Sequence, residues 1–464
     1  MSAYPELQAM VLVCEFISYA SIIFFALYMN ANIESVIVED EVVEYKKNCI
    51  DTKTAAIVVV GSGPVGMQFA NELMLRNIDI PVIVYGSEPV QPYNRVRLSD
   101  YLAGEVYRDT LSIDEPESDT AQIEFRYNCA VEWIDKDEKF IIDASGREQY
   151  YSKLVLVTGS TPFMPMFGNR HYKGVYTFRT LGEADELLSR KIRTRHTVVI
   201  GGGLLGLETA RAMQKYHTDI TIIEHNRWLM MHQLDEQGSA YLENFITESG
   251  IKVILGDSVV SVTGNGRVEG LTLRSGKIVE CDTLIIAAGV RPNISLARDA
   301  GLVFQKGIRI NNHLQTSAKD IYAIGECAEH DDNVYGLVKP GFDQAAVLAD
   351  RLTGGDARYV GSISATQLKV MSQAVFSAGR NGIDEEPGAS VSEYVFSDKD
   401  AGIYRKIRIF GNRIIGVIAV GEWHESAVIN EAIHEKRKFW FWHLLRFKAT
   451  GNIWGDADEV DVST

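Results

Sequence analysis

The chain has few cysteines, and none of them are spaced like the ligands of a metal or the members of a redox pair. Its 464 residues include five cysteines and ten histidines. The sequence contains no Cys-x-x-Cys pair, no His-x-x-x-His pair and no histidine–cysteine cluster. This scatter argues against a disulfide framework and against an iron–sulfur or zinc centre, both of which need closely spaced ligands. We therefore predict a protein of a reducing compartment with no metal site.

The sequence also lacks a basic stripe beside its glycine-rich segments. Lysine and arginine number 46 against 62 aspartates and glutamates, which gives a net charge of −16. Because nucleic-acid binding depends on cations that neutralise phosphates, we predict that the chain binds no nucleic acid. The acidic surface fits a soluble body, with a basic partner as the alternative. The length leaves room for about three domains at roughly 150 residues each.

What the sequence does contain is two glycine-rich segments of one design, 140 residues apart. Each follows a run of β-branched residues and precedes a helix-forming stretch, residues 67–74 and 207–215. In a dinucleotide-binding turn, glycines allow the tight bend, the close approach of a pyrophosphate and the packing of helix on strand. Two such turns predict two bound dinucleotides, with electrons passing between them. The glycines are Gly61, Gly63 and Gly66 in the first segment and Gly201, Gly203 and Gly206 in the second.

An acidic residue follows each segment at about the distance where a carboxylate binds ribose hydroxyls. Glu224 lies 23 residues after Gly201, at the end of a predicted strand. A carboxylate there repels a 2′-phosphate, which favours NADH over NADPH, although the nearby Arg227 weakens that preference. Glu88 lies 27 residues after Gly61, farther than usual, and Ser87 is the alternative at that position.

The N-terminal part contains an apolar run at residues 10–29 with a single charge, Glu15. Twenty residues are about enough to span a hydrocarbon core. Lys46 and Lys47 then place the following chain on the cytoplasmic side. The alternatives are a hydrophobic helix docked on the body and an extension that the working protein lacks. We expect a cytoplasmic protein, attached to the cytoplasmic face of a membrane if this run is an anchor, and residues 30–54 as an acidic linker.

From residue 55 onward, strand–helix alternation leads into a β-rich stretch at residues 121–160, with short strands predicted at 131–134, 139–142 and 154–157. The same order recurs from residue 197 and ends in a β-rich stretch at 252–288. After residue 361, predicted strands at 404–410 and 413–420 flank a Gly411-Asn412 turn. The segment 436–448 is basic and aromatic, and its cations do not segregate to one helical face. This segment has three possible roles: contact with a membrane surface, docking of a partner, or contact within a homodimer.

Six further segments follow one another in an order that resembles the FAD- and NAD-dependent pyridine-nucleotide oxidoreductases. Within that family the chain is most similar to the flavin portion of NAD(P)H-dependent assimilatory nitrite reductases, and next to rubredoxin and ferredoxin reductases. The resemblance covers residues 55–421. Its segments are residues 93–99, 154–160, 201–208, 287–293, 320–328 and 335–341.

The resemblance implies an α/β fold with two Rossmann-like nucleotide-binding domains and a small C-terminal α+β domain. The FAD domain is interrupted by the NAD domain. The predicted boundaries are residues 1–54 for the N-terminal segment and linker, 55–180 and 289–360 for the FAD domain, 181–288 for the NAD domain, 361–430 for the C-terminal domain and 431–464 for the tail.

The family's functional residues map onto positions of this sequence. The first glycine segment corresponds to the FAD pyrophosphate site, and the second, with Glu224, to the NADH site. Glu208 resembles the family's acid at the nicotinamide–flavin junction and is our one catalytic candidate. Its alternative role is an ordinary glutamate in the first turn of a helix. Residues 336–341 precede a helix at 342–350 whose N-terminal dipole favours a reduced flavin. The further cofactor-binding candidates are Glu88, Arg95, Ser99, Thr158, Gly159, Gly289, Gly325 and Glu326.

Two departures from the family narrow the predicted reaction. Asp100 stands where many rubredoxin and ferredoxin reductases have a lysine, so a Lys–Glu pair with Glu208 is not available there. The cysteine pair of the disulfide reductases is missing, and we interpret Cys327 as a small buried residue. We therefore predict that NADH reduces FAD and that a separate acceptor takes the electrons.

The acceptor that we expect is a redox protein, namely a nitrite-reductase-type, rubredoxin or ferredoxin partner. The sequence has no clustered cysteines to hold siroheme and an iron–sulfur cluster, so nitrite reduction by this chain alone is not expected. An NADH oxidase or NADH:quinone oxidoreductase is the enzymatic alternative. A non-catalytic, nucleotide-sensing interaction protein is the alternative from another class.

Overall fold

The computed structural model describes residues 37–38, 41–42, 50–116, 122–167, 172–362, 365–370, 373–382 and 391–454. The chain forms two compact units, residues 1–50 and 51–464. In the first unit, strands β1 (Ile37–Val38) and β2 (Glu41–Val42) pair antiparallel within the stretch predicted as a linker. The apolar run at residues 10–29 lies outside the described residues. Among the helices in the described ranges, none is long and apolar enough to cross a bilayer.

The second unit begins with a seven-stranded sheet around the first glycine segment. Strands β5, β4, β3 and β8 run parallel, and β7 and β6 extend the sheet antiparallel. All five residues of β3 are buried, as expected for a central strand covered on both faces. The elements are β3 (Ala56–Val60), α1 (Pro64–Leu75), β4 (Val82–Tyr85), α2 (Leu98–Leu102), β5 (Ile123–Arg126), β6 (Val131–Asp135), β7 (Phe140–Asp143), β8 (Glu148–Leu156) and β9 (Ser160–Pro162), with 3₁₀ helices at Arg95–Arg97 and Arg108–Leu111.

A second parallel sheet surrounds the second glycine segment. Its strand order is β10-β17-β11-β12-β13, and a three-stranded antiparallel sheet, β14-β15-β16, is inserted before β17. The elements are β10 (Val175–Thr177), α3 (Leu181–Arg190), β11 (His196–Ile200), α4 (Leu204–Gln214), β12 (Asp219–Glu224), α5 (Glu236–Glu248), β13 (Lys252–Leu255), β14 (Val259–Thr263), β15 (Gly270–Leu273), β16 (Ile278–Glu280) and β17 (Thr283–Ile286).

The chain then returns to the first sheet. Strand β18 pairs antiparallel with β9, and β20 pairs parallel with β8. The second sheet is thus an insertion into the first, as the resemblance implied. The elements are β18 (Val290–Pro292), α6 (Ser295–Asp299), β19 (Ile308–Ile310), β20 (Ile321–Ala323), β21 (Ala328–His330), β22 (Asn333–Val334) and α7 (Val338–Leu352), with a 3₁₀ helix at Gly325–Cys327.

The last part of the chain is an antiparallel sheet covered by helices. Its strand order is β23-β24-β27-β26-β25. The predicted hairpin is confirmed, since Gly411 and Asn412 both have positive φ, as a two-residue turn with left-handed central residues requires. The elements are β23 (Ala365–Val370), β24 (Gln373–Gly379), β25 (Ser392–Asp398), β26 (Ile403–Phe410), β27 (Arg413–Val420), α8 (Ser426–His434) and α9 (Phe441–Thr450).

Candidate functional site

The first glycine segment forms a tight turn between β3 and α1. Gly61 has φ +127°, and a Cβ there would overlap the carbonyl oxygen of Val157. A Cβ on Gly66 would overlap the carbonyl oxygen of Gly61, so only glycine lets α1 pack this close to the turn. Gly63 precedes α1 and provides no side-chain cap, which leaves the N–H groups of the first helical turn available to an anion.

The second glycine segment repeats this geometry between β11 and α4. Gly201 has φ +114°, and a Cβ there would overlap the carbonyl oxygen of Ala287. A Cβ on Gly206 would overlap the carbonyl oxygen of Gly201. Gly203 precedes α4 without a side-chain cap. Both segments therefore have the backbone of a pyrophosphate-binding turn, as their sequences predicted.

Both turns open into one cavity of about 1150 Å³. Gly66 and Gly206 do not line it, because they face their own turns. At five glycines along its wall, a Cβ would meet no protein atom within 4 Å and would take up cavity space: Gly159, Gly203, Gly256, Gly289 and Gly336. A wall kept free of side chains in this way fits extended dinucleotides. The predicted residues that line the cavity are Gly61, Gly63, Glu88, Arg95, Ser99, Thr158, Gly159, Gly201, Gly203, Glu208, Glu224, Gly289, Gly325 and Glu326.

Glu224 lies at the end of β12 and is buried. Its Oε2 accepts a hydrogen bond from the backbone N–H of Gly202 at 2.6 Å. Its Oε1 accepts from the backbone N–H and the Nδ2 of Asn226, both at 2.8 Å. The carboxylate is thus held beside the second turn, where it presents a fixed negative charge to the cavity. Arg227, expected to weaken the preference for NADH, is not among the described residues that line the cavity.

Glu88 lies beside the first turn in a different network. It accepts a hydrogen bond from the Tyr93 hydroxyl at 2.8 Å and forms an ion pair with Arg95. The guanidinium of Arg95 also lies 5.1 Å from the centre of the Tyr93 ring. The two predicted residues therefore pair with each other, and Tyr93, which the sequence did not single out, positions both.

Glu208, on α4, lines the cavity that the two turns share. Burial raises the pKa of Glu208 to about 7, and the nearby Asp100 adds to this effect. The Ser99 hydroxyl, on α2, hydrogen-bonds the carboxyl and partly opposes the rise in its pKa. Ser99 and Glu208 thus join the segment after the first turn to the helix of the second. A carboxyl with a pKa near neutrality in a cavity is typical of a functional group.

Glu326 forms a cluster with Ser160 and Arg179, two residues that the sequence did not single out. Its Oε2 accepts a hydrogen bond from the Ser160 hydroxyl at 2.7 Å and forms an ion pair with Arg179. The Arg179 Nε also donates to the Ser160 carbonyl at 2.9 Å. Arg179 follows β10 by two residues and lies at the carboxyl end of a parallel strand. That position was the available sequence signal, because ligands bind at this edge of such sheets.

The predicted residues Thr158, Gly159 and Gly289 lie where the chain crosses between the two sheets. The Thr158 hydroxyl donates to the Asn293 carbonyl at 2.7 Å, and the Asn293 N–H donates to the Gly159 carbonyl at 2.9 Å. The Phe163 N–H donates to the Gly289 carbonyl at 2.9 Å. Gly325 has φ +81°, and its N–H donates to Gln344 Oε1 at 2.7 Å. These bonds fix the strand crossing that forms one wall of the cavity.

The Cys327 thiol is buried beneath this wall. Its Sγ donates to the carbonyl oxygens of Leu156 and Ile324, at 3.4 and 3.3 Å. Burial raises the pKa of Cys327, which keeps the thiol protonated and unreactive. Cys129 and Cys281 are also free and buried. The geometry agrees with the interpretation of Cys327 as a structural residue.

The two-turn fold and its shared cavity define an oxidoreductase that uses FAD and a nicotinamide dinucleotide. Residues 55–347 match the family described as pyridine nucleotide-disulphide oxidoreductase, and residues 365–437 match the rubredoxin NAD+ reductase C-terminal domain. The chain belongs to the pyridine nucleotide-disulphide oxidoreductase family. This membership confirms the predicted resemblance, the fold class, the enzyme class and the cofactors FAD and NADH.

Similar proteins include reductases of different lengths. The NAD(P)H nitrite reductase of Bacillus subtilis (strain 168) is 36% identical over 373 residues, which cover 80% of this chain and 46% of the relative. The rhodocoxin reductase of Rhodococcus erythropolis is 31% identical over 378 residues, which cover 79% of this chain and 86% of the relative. The crystal structure of the ferredoxin reductase for the CYP199A2 system from Rhodopseudomonas palustris superposes with a TM-score of 0.72 at 26% identity, covering 79% of this chain and 91% of that one. The chain spans about half the length of the nitrite reductase that it matches.

Proposed function

We propose that this chain transfers electrons from NADH through FAD to a separate redox protein. The observation that supports this most strongly is the single cavity that both dinucleotide turns share, with Glu208 between them. One such cavity lets two dinucleotides meet end to end, so that a hydride has a short path from one to the other.

For the FAD site we propose the first turn and the residues around it. The N-terminus of α1 would bind the pyrophosphate, and Arg95 would neutralise charge beside it. Ser160, Arg179 and Glu326 would contact the ribityl and flavin end of the cofactor. The other proposed FAD ligands are Gly61, Gly63, Glu88, Ser99, Thr158, Gly159 and Gly325. Gly66 supports this site indirectly, by letting α1 pack against the turn.

For the NADH site we propose the second turn, with the N-terminus of α4 at the pyrophosphate. Glu224 would accept hydrogen bonds from the ribose hydroxyls and repel a 2′-phosphate. Glu208 would contact the nicotinamide where it meets the flavin. Gly201, Gly203 and Gly289 complete the proposed NADH ligands. Gly206 supports this site indirectly, by letting α4 pack against the turn.

Bound FAD would supply the redox chemistry, taking a hydride from NADH and releasing electrons one or two at a time. The protein's part is to hold the two cofactors in line and to control the charge around them. Because burial keeps the Cys327 thiol protonated, we propose that the electrons do not pass through this residue.

For the acceptor we propose a small redox protein or a separate nitrite-reducing partner. The names of the relatives support this choice, since they include a nitrite reductase, a rhodocoxin reductase and a ferredoxin reductase. The match of residues 365–437 to the rubredoxin NAD+ reductase C-terminal domain points the same way.

The predicted domain boundaries, residues 55–180 and 289–360 for FAD, 181–288 for NADH and 361–430 for the C-terminal domain, stay proposals with one adjustment. Strand β10 belongs to the second sheet, so we propose that the first FAD segment ends before residue 175. A cytoplasmic location, membrane attachment through residues 10–29 and a homodimer are proposed with them. Partition of the full chain and of a chain lacking residues 1–30 between membrane and buffer tests the attachment.

The proposed function is tested with purified protein loaded with FAD. We expect the yellow protein to bleach when NADH is added without oxygen, and to regain its colour when an acceptor protein is added. The panel of acceptors is a rubredoxin, a ferredoxin, a nitrite-reducing partner, a quinone and O₂. Fast turnover with quinone or O₂, and none with a protein, would instead favour the oxidase or quinone reductase. Tightly bound FAD that NADH does not reduce would favour the nucleotide-sensing alternative.

A further inference from the structure

Helix α9 displays an apolar face on the surface of the C-terminal sheet domain. Phe441, Trp442 and Leu445 are 69%, 61% and 53% exposed. At 100° per residue they fall within an arc of about 100° on the helix. Single exposed apolar residues are common, but a continuous stripe of three large ones is a typical interaction surface.

Two cations flank this stripe. Arg446 follows the arc on one side and Lys448 on the other, and both side chains are exposed. Lys438 lies just before the helix, with its Nζ 6.0 Å from the centre of the Trp440 ring. Residues 436–448 contain five cations and no acid, in a chain with a net charge of −16. This segment therefore carries a local positive charge in an acidic chain, although Arg437 forms ion pairs with Glu431 and Glu435.

The opposite side of α9 is fixed to the fold. Phe447 is fully buried and packs against Trp423, with ring centres 6.3 Å apart. The helix ends at Gly451, whose φ of +75° and hydrogen bond to the Phe447 carbonyl form a left-handed cap. Phe447 and Leu444 thus define the side of α9 that faces the sheet. Arg446 and Lys448, which look scattered in the sequence, border the opposite, exposed side.

A buried carboxylate locks the chain that follows α9. The two oxygens of Glu425 accept hydrogen bonds from the backbone N–H groups of Ile453 and Trp454, both at 2.6 Å. Arg405 donates to the Gly451 carbonyl at 3.0 Å and to Asn452 Oδ1 at 2.6 Å. We call these contacts the Glu425 clamp. With it in place, the exposed face belongs to a rigid element.

We propose that α9 binds the surface of an anionic lipid bilayer, with Phe441, Trp442 and Leu445 inserted at headgroup level and the flanking cations on the lipid phosphates. Charge complementarity supports this occupant, because an acidic protein reaches an anionic surface only through a local cationic patch. The aromatic rings support it as well, since tryptophan is favoured at the boundary between headgroups and acyl chains. Stable attachment usually takes two signals, and the apolar run at residues 10–29 is a second one in the same sequence.

The test uses full-length, FAD-loaded protein and vesicles of phosphatidylcholine, either alone or with a third phosphatidylglycerol. Flotation measures binding, and lipids with a spin label near the headgroup report insertion by quenching tryptophan fluorescence. Residues 10–29 contain no tryptophan, but Trp133 is 48% exposed, so the signal is assigned to α9 by a variant that lacks the two tryptophans beside it. We expect quenching with the anionic vesicles, and its loss when Trp440 and Trp442 are both changed to Phe.

Two variants separate the charge from the apolar stripe. Arg446→Gln should weaken binding to anionic vesicles about fivefold, and Leu445→Ser should weaken it about tenfold. Ile192→Ser is the matched control, because Ile192 is 87% exposed and lies in the loop after α3. All three variants should keep FAD and the wild-type rate of bleaching by NADH, which makes this test independent of the proposed electron transfer.

Other outcomes overturn the proposal. Vesicle binding without tryptophan quenching would assign attachment to the rest of the chain. Dissociation of a dimer by Leu445→Ser would make the face a contact with a second copy. If the Arg446→Gln variant reduces an acidic acceptor protein more slowly and binds vesicles as well as wild type does, the apolar face of α9 is a protein-docking surface.

Discussion

Among single residues, Glu208 should dominate the pH dependence of stability. Burial raises its pKa from 4.5 to about 7. Between these values the folded chain retains a proton that the unfolded chain has released, so stability falls as pH rises from 4.5 to 7 and is level above. Glu208→Gln should remove this slope, making the variant the more stable one at pH 8. The gain is on the order of 3 kcal/mol at most, since partial exposure screens the charge.

Urea unfolding of wild-type protein and the Glu208→Gln variant at pH 5 and pH 8 checks this expectation. The exposed Glu280→Gln change serves as the control, because Glu280 lies in the same part of the chain and outside the cavity lining. A difference between Glu208→Gln and wild type that stays the same at both pH values would contradict the raised pKa.

Glu224 should set the choice between NADH and NADPH. Replacing it by glutamine removes the charge that repels a 2′-phosphate but keeps a hydrogen-bonding side chain. We expect the ratio of kcat/KM for NADH over NADPH to fall about tenfold, a change of about 1.4 kcal/mol. Steady-state reduction of an artificial acceptor with each nucleotide measures the ratio. An unchanged ratio would show that other groups recognise the ribose.

Among single residues, the sequence predicted those that lie in local motifs. It missed those that only tertiary contacts bring to the site. Glu224 follows its turn at a regular distance, and the structure places it beside that turn. Arg179 lies 147 residues from its partner Glu326, and only the return of the chain to the first sheet brings them together. The ion pair of Glu88 with Arg95 also escaped prediction, because each residue was assigned to a cofactor rather than to the other.

Among the elements, substitutions in the two glycine turns should each affect the binding of a different cofactor. Gly201→Ala places a methyl group against the Ala287 carbonyl at a φ that side chains rarely adopt. We expect this variant to keep FAD but to bind NADH at least about fivefold more weakly, because such strain costs about 1–3 kcal/mol. Gly61→Ala should instead lose FAD.

FAD absorbance and stopped-flow bleaching by NADH distinguish these two outcomes. Gly182→Ala is the control, since Gly182 lies in helix α3 and a Cβ there meets no atom within 4 Å. Loss of FAD in both turn variants would mean that the strain spreads through the whole fold and is not local to each site.

The Glu425 clamp should stabilise the C-terminal sheet domain. Glu425→Gln replaces a carboxylate that accepts two backbone hydrogen bonds by an amide with a single acceptor oxygen. Burial raises the pKa of Glu425 and so offsets part of the benefit of its charge. We therefore expect the free energy of unfolding to fall by about 1 kcal/mol, because one backbone N–H loses its acceptor. Chemical denaturation measures the loss, and the exposed Glu435→Gln change should have little effect. Equal midpoints for Glu425→Gln and wild type would contradict the clamp.

Elements with strong periodicity were predicted well from the sequence. The strand runs around both turns and the hairpin at residues 403–420 have the residues, spacing and turn glycines that fix them locally. The amphipathic character of helix α9 was harder to predict, because a helical projection of the sequence places its cations on no single side. Its amphipathic character depends on which aromatic residues the sheet covers, and that is decided by packing of Phe447 and Trp423.

Across the whole molecule, the second parallel sheet and the C-terminal sheet share an apolar core, and Asp235 provides a polar contact at that junction. Asp235 caps helix α5 and also accepts hydrogen bonds from the Tyr404 hydroxyl at 2.8 Å and the Lys406 ammonium at 3.2 Å. Tyr404→Phe should lower the free energy of unfolding by about 1 kcal/mol, because it removes a hydrogen bond from a buried hydroxyl. Urea denaturation measures this, with Tyr107→Phe as an exposed control. An unchanged midpoint would mean that the Tyr404–Asp235 hydrogen bond adds little to Lys406 and to the apolar packing at this junction.

The Glu425 clamp also has a consequence for how the chain matures on the ribosome. The two N–H groups that donate to the Glu425 carboxylate belong to residues 28 and 29 positions later in the chain. A ribosome hides the last few tens of residues of a nascent chain, so Glu425 emerges well before its partners. The contacts around Glu425 are therefore complete only after residue 454 has left the ribosome. A chain that ends before residue 453 would leave the buried Glu425 carboxyl without either backbone donor, which costs about 1–3 kcal/mol.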